Sequence, residues 1–128
     1  MIQLLNSRAT RIKLVNNTAR SQKINIETKH SFSVSFAEDG EHCRAFLQIG
    51  VTSQGDPNLL NIECVVEGSF SFPKISGDED KKIVHVECYY NLFPYAQALL
   101  ARLFSDAALP PYYFPYMQMT PDNVVIKK

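Results

Sequence analysis

Between Ile24 and Phe36 apolar residues fall on even positions and polar ones between them. Ile24, Ile26, Phe32, Val34 and Phe36 alternate with Asn25, Glu27, Lys29, Ser31, Ser33 and Ser35, with Thr28 and His30 weakening the middle. Successive side chains of a strand point to opposite faces, so this period of two predicts a long strand with one face on a core. Asp39-Gly40 ends the run, and a dipeptide that tolerates positive φ predicts a tight hairpin turn. Cys43, Ala45, Leu47, Ile49 and Val51 continue the alternation as an antiparallel return strand. Gln54-Gly55-Asp56-Pro57-Asn58 is a second turn cluster. Leu60, Ile62, Cys64, Val66, Phe70 and Phe72 then make a third strand, in which Gly68 marks a bulge or a close backbone approach. Residues 23–73 therefore read as a three-stranded meander. Residues 8–15 add a less regular strand at an edge, joined through a polar crossover at 16–22.

The pattern changes after Pro73. Ser76-Gly77-Asp78-Glu79 reads as a capping box and predicts a helix start. Ile83, Val84, Val86, Tyr89 and Tyr90 are β-branched or aromatic, so a strand stays open over this stretch as the alternative to the helix read here. Asn91-Leu92-Phe93-Pro94 reads as a break, because proline suits the first turn of a helix and is costly inside one. From Pro94 to Ala108, alanines and leucines predict a helix that is apolar nearly all round, which a small domain cannot cover alone. A subunit interface is its expected cover. Residues 109–119 are aromatic, Met-containing and interrupted by three prolines, so they read as extended.

One domain over residues 1–128 is expected from the length, and 45% apolar residues suffice for a core without staples. Thirteen basic and thirteen acidic residues cancel, leaving no long-range field for nucleic acid or anionic lipid. No apolar run approaches the roughly 20 residues of a membrane span, and none has signal-peptide length. Cys43, Cys64 and Cys88 form an odd set without a CxxC pair, the pattern of reduced thiols, so a cytoplasmic location is expected.

Candidate chemistry is sparse. His85-Val86-Glu87-Cys88 offers at most two of the ligands zinc requires. His42 and Cys43 are adjacent on a strand and point apart, which excludes a direct nucleophile–base pair. Glu38, Asp39 and Glu41 surround a turn, where carboxylates are ordinarily solvated. No Gly-rich phosphate loop, GxSxG or HExxH occurs, so neither catalysis, a metal nor a cofactor is expected. Phe32, Phe36, Phe70 and Phe72 share strand faces with aliphatic residues and are assigned to the core. Tyr89, Tyr90, Phe93, Tyr112, Tyr113, Phe114, Tyr116, Met117 and Met119 lie outside the alternating strands. Rigid aromatics with pliable methionines suit a surface that binds varied polypeptides, and they suit a sealed subunit interface equally well.

The run Asn91-Leu92-Phe93-Pro94-Tyr95-Ala96, the alanine- and leucine-rich segment after it and the exit Leu109-Pro110 resemble the protein-export chaperone family SecB. Val66-Glu67-Gly68-Ser69-Phe70-Ser71-Phe72 is similar to that family's last-strand ending. The resemblance implies an α+β subunit, a four-stranded antiparallel sheet with helical packing on one face, assembling as dimers or tetramers. It implies a holdase whose apolar and aromatic grooves take unfolded polypeptide, with Leu92, Phe93, Pro94, Tyr95 and Ala96 fixing the helix and its packing. The family's second long helix and acidic tail have no counterpart in this sequence. With the charge sum at zero, docking on the motor ATPase SecA is doubtful.

The leading expectation is a chaperone for unfolded clients, in export or as the dedicated partner of an antitoxin in a toxin–antitoxin module. A small-ligand binder or enzyme with Tyr89, His85 and Cys88 as polar handles, and a purely structural oligomer, are the competing classes.

Overall fold

All four alternating runs become strands: β1 (Gln3–Asn16), β2 (Ile26–Phe36), β3 (His42–Ser53) and β4 (Leu60–Ser71). They form one sheet of order β1-β4-β3-β2, antiparallel throughout, in a computed structural model that describes residues 2–19, 23–115 and 117–124. β2, β3 and β4 are the predicted meander. β1 crosses to the far side and pairs with β4, beginning five residues earlier than the alternation suggests and bulging at Leu4/Asn6 and Ala9/Arg11. The Asp39-Gly40 turn forms as predicted: Gly40 has a φ of 71°, and the Asp39 carboxylate accepts the N–H groups of Glu41 (2.8 Å) and His42 (3.1 Å).

Phe32, Leu47, Val66 and Ala9 lie side by side across the sheet on one face, and the core is built on that face. One helix, α1 (Asp78–Asp106), packs across it, chiefly against β3 and β4. Gly68 supplies the close approach: a Cβ there would lie 2.9 Å from Leu92 Cδ1 and 3.0 Å from a Phe70 ring carbon.

Residues 83–90 are helical, as read over the strand alternative. Three other helix expectations are corrected. Pro94 lies inside α1 and does not break it. Proline removes one N–H, at about 3 kcal/mol in a helix interior. The buried stripe continues on both sides of it, through Cys88, Tyr89 and Leu92 and then Ala96, Leu100 and Leu103, and this holds the helix on the sheet. The Ser76 capping box does not form. The N-cap is Gly77, with no side-chain hydrogen bond, and the Ser76 N–H donates to Asp80 at 3.3 Å. Asp78, Glu79 and Asp80 instead place negative charge at the positive end of the helix dipole. Finally, α1 buries one stripe only. Tyr95, Ala98 and Ala101 stay exposed, so the all-round apolar helix is covered by its own chain on the sheet side and along part of its flank.

The opposite sheet face is polar. Glu63 and Glu67 on β4 are buried there beneath cations from both neighbouring directions: Arg11 and Lys29 reach Glu63 at 3.5 and 3.3 Å, and Arg8 and Arg44 reach Glu67 at 3.1 and 3.8 Å.

Candidate functional site

The helix ends at a left-handed residue, Ala108, with a φ of 57°. The Leu109 N–H donates to Phe104 O and the Ala108 N–H to Ser105 O, both at 3.0 Å, the pairing of a Schellman motif. This reversal sends residues 109–115 and 117–120 back along α1. Four helix side chains then hold the returning segment. Tyr112 stacks on Phe104 with ring centres 5.6 Å apart. With its side-chain amide oriented to serve both groups, Gln97 donates to Phe114 O at 3.1 Å and accepts from Phe114 N–H at 3.0 Å. Tyr89 Oη accepts the Met117 N–H at 2.7 Å, and Tyr90 Oη accepts the Met119 N–H at 2.9 Å while donating to Met119 O at 3.3 Å.

Between helix and returning segment runs an open groove of about 750 Å³. Phe93, Pro94, Ala98 and Ala101 line it from the helix, and Tyr112 and Tyr113 from the returning segment. Its surface is overwhelmingly apolar, with Gln97 and Ser105 among the few polar groups along it. Such a groove offers shape and hydrophobic burial without poised acid–base or nucleophilic chemistry.

The nine proposed contact residues divide. Tyr89 and Phe114 are fully buried and Phe93 nearly so, which corrects their assignment to a surface: they are core, with only an edge of Phe93 reaching the groove. Tyr89 fills its place because its hydroxyl is satisfied inside, by the Met117 N–H and by His30 Nε2 at 2.9 Å. Tyr90, Tyr113 (79% exposed) and Met117 are at the surface, with Tyr112 and Met119 half-buried. Tyr116 lies outside the described residues. In the Leu92–Ala96 run, Leu92, Phe93 and Ala96 pack inward, while Pro94 and Tyr95 face outward.

Gln97, Ala98, Ala101, Ser105, Leu109 and Pro111 line the groove and were not anticipated. Their signal is the spacing Tyr90, Pro94, Gln97, Ala101, Ser105, a second helical stripe visible once the helix is run through Pro94.

The polar handles of a ligand pocket are already engaged. Cys88 Sγ lies 3.6 Å from Cys43 Sγ, and His85 packs edge-on against Phe32 at 5.0 Å. Burial pushes the imidazoles of His30 and His85 below their ordinary value. Among the described residues no group of three or more His, Cys, Asp or Glu is placed to hold a metal ion, and no helix is long and apolar enough to cross a membrane.

No family model matches the chain. It is 24% identical over 98 residues to the protein-export protein SecB of Orientia tsutsugamushi strain Boryong, an alignment covering 76% of this chain and 61% of the relative. The strain Ikeda protein matches equally, at 60% of its length. The chain thus spans about three-fifths of these curated relatives. In fold it is similar to the Mycobacterium tuberculosis SecB-like chaperone Rv1957, solved in complex with a ChAD peptide from the antitoxin HigA1, with a TM-score of 0.71, 14% identity and coverage of 91% of this chain and 90% of that one. With the sheet order, the helix packed across it and these likenesses in agreement, the chain has a SecB-like fold and is similar in sequence to SecB over 76% of its length.

Proposed function

We propose that this chain is a chaperone that holds unfolded polypeptide in the groove between α1 and residues 109–113. The observation that carries the reading is the apolar groove of about 750 Å³, floored by Ala98 and Ala101 and walled by Tyr112 and Tyr113, on a SecB-like fold. Small floor residues let an extended chain lie close, and the aromatic wall gives contact area at about 25 cal/mol per Å² of apolar surface buried. Tyr90, Tyr112, Tyr113, Met117 and Met119 are the contact residues of this reading. Copies of the chain associate through the edge strand β1, whose outer backbone is unpaired by the sheet and whose Leu5, Ile12 and Leu14 are exposed.

Equimolar chain added to a chemically denatured, aggregating protein suppresses its light scattering; scattering that is unchanged overturns the proposal. Native mass determination with and without unfolded polypeptide then reports the size of the particle and the bound client together.

A second reading, a chaperone dedicated to one antitoxin, is favoured by the fold match to a SecB-like protein whose structure contains an antitoxin peptide. Under it, a peptide from an antitoxin encoded beside this chain's gene binds more tightly than generic unfolded polypeptide.

A further inference from the structure

Cys43, on the core face at the start of β3, and Cys88, in the first half of α1, bring their sulfurs to 3.6 Å across the sheet–helix contact. We propose that Cys43 and Cys88 are an oxidisable dithiol that takes a small hydroperoxide and closes into an intramolecular disulfide joining β3 to α1.

Three observations carry this. The two thiols already touch, so a bond of about 2.05 Å requires the sulfurs to close by only about 1.5 Å. A cleft of about 390 Å³ at the end of the sheet borders Cys43, which is itself only 4% exposed, so a peroxide reaches the sulfur through local opening of that sheet end. The two sulfurs are unequal: their contact pulls the Cys43 pKa down, while the same contact and burial push Cys88 up. Cys43 is therefore the attacking sulfur and Cys88 the resolving one. The third thiol is arranged differently. Cys64 is buried as the other two are, but its pKa is pushed up to about 11 by burial and the nearby charge of Glu63, and its sulfur faces Ala96 O at 3.9 Å.

The chemistry balances with the peroxide as oxidant. The Cys43 thiolate attacks one peroxide oxygen, the O–O bond breaks, and the departing hydroxide takes a proton to become water, leaving a sulfenic acid on Cys43. Cys88 sulfur then attacks the Cys43 sulfur, losing its proton as the S–O bond breaks and a second water leaves. Two thiols are oxidised by two electrons in total, and one hydrogen peroxide is reduced to two waters. The new bond ties the first part of β3 to the helix turn carrying Tyr89 and Tyr90, the two side chains that hold Met117 and Met119.

The test treats the native full chain with hydrogen peroxide and digests it without reductant. The expected result is a Cys43–Cys88 crosslinked peptide pair, an intact mass lower by about 2 Da, and loss of two of the three free thiols. Cys64→Ser leaves the crosslink in place. Cys88→Ser abolishes it and leaves a sulfenic acid on Cys43 that dimedone traps. The crosslink in the unsubstituted chain decides the matter if Cys88→Ser does not fold. Persistence of all three thiols, a crosslink through Cys64, or disulfides formed only between molecules or only after denaturation overturns the proposal.

Discussion

Lys29 on β2 and Glu63 on β4 form an ion pair at 3.3 Å although β3 runs between their strands. The residue between them is Gly50, paired in register with both, and its missing side chain is the space the pair occupies. A Cβ at Gly50 would lie 2.5 Å from Ile62 O and 2.6 Å from Glu63 Cβ. Backbone cannot give way as a flexible side chain can, so Gly50→Ala is expected to destabilise the fold by about 2–3 kcal/mol, the upper part of the overpacking range. Urea unfolding midpoints check it, and a loss below about 0.5 kcal/mol would contradict this account of the polar face.

Ala108 occupies the left-handed C′ position of a Schellman motif, which glycine takes without steric cost. Ala108→Gly is expected to stabilise the chain. The relief of about 1–2 kcal/mol of left-handed strain is partly offset by glycine's greater freedom when unfolded. A higher thermal midpoint is the readout; a lower one shows that the Ala108 side chain makes contacts outweighing the strain.

Gln97 is the clamp on the returning segment. Gln97→Ala removes both partners of the Phe114 backbone, at roughly 1–3 kcal/mol for the polar groups left unpaired. Amide exchange at Phe114 should accelerate while the amides of β3 keep their protection. Equal acceleration in both would mean that segment and core unfold as one unit.

A carboxylate in the groove floor separates packing from client capture. Ala101 is exposed, so Ala101→Asp is expected to leave stability within about 0.5–1 kcal/mol, the helix-propensity difference. It should weaken suppression of client aggregation several-fold, since a charge there must be desolvated against apolar client. Unchanged suppression with an intact circular dichroism spectrum would place client binding elsewhere.

His30 sets an acid limit to stability. Burial holds its folded pKa below the unfolded value of 6.5, and His85 is shifted the same way. The unfolded state therefore binds more protons just below that pH, so stability is complete above about 6.5 and declines as pH falls through the folded values. His30→Gln keeps an acceptor for the Tyr89 hydroxyl and removes the titration. Its unfolding free energy should fall less steeply between pH 7 and 5 than that of the unsubstituted chain, and an identical slope would assign the effect to other groups.

Strand existence, faces and turns are local properties, and they were legible in the sequence. A period of two over a dozen residues can be met by one backbone geometry with one buried face, and Asp39-Gly40 needs only its own φ preference. Gly68 was legible as an unusual strand residue, though its cause, Leu92 arriving from α1, was not. Tertiary structure decided everything whose partner is distant along the chain. β1 found β4 because an edge was free there, and α1 ran through Pro94 because the sheet face rewards the apolar stripe on both sides of it. The same holds for the aromatics. Composition showed a surplus of rings, but whether Tyr89 and Phe114 lie inside while Tyr113 faces water depends on where Ala108 turns the chain back. That burial is a property of the assembled surface, which no periodicity of the segment itself encodes.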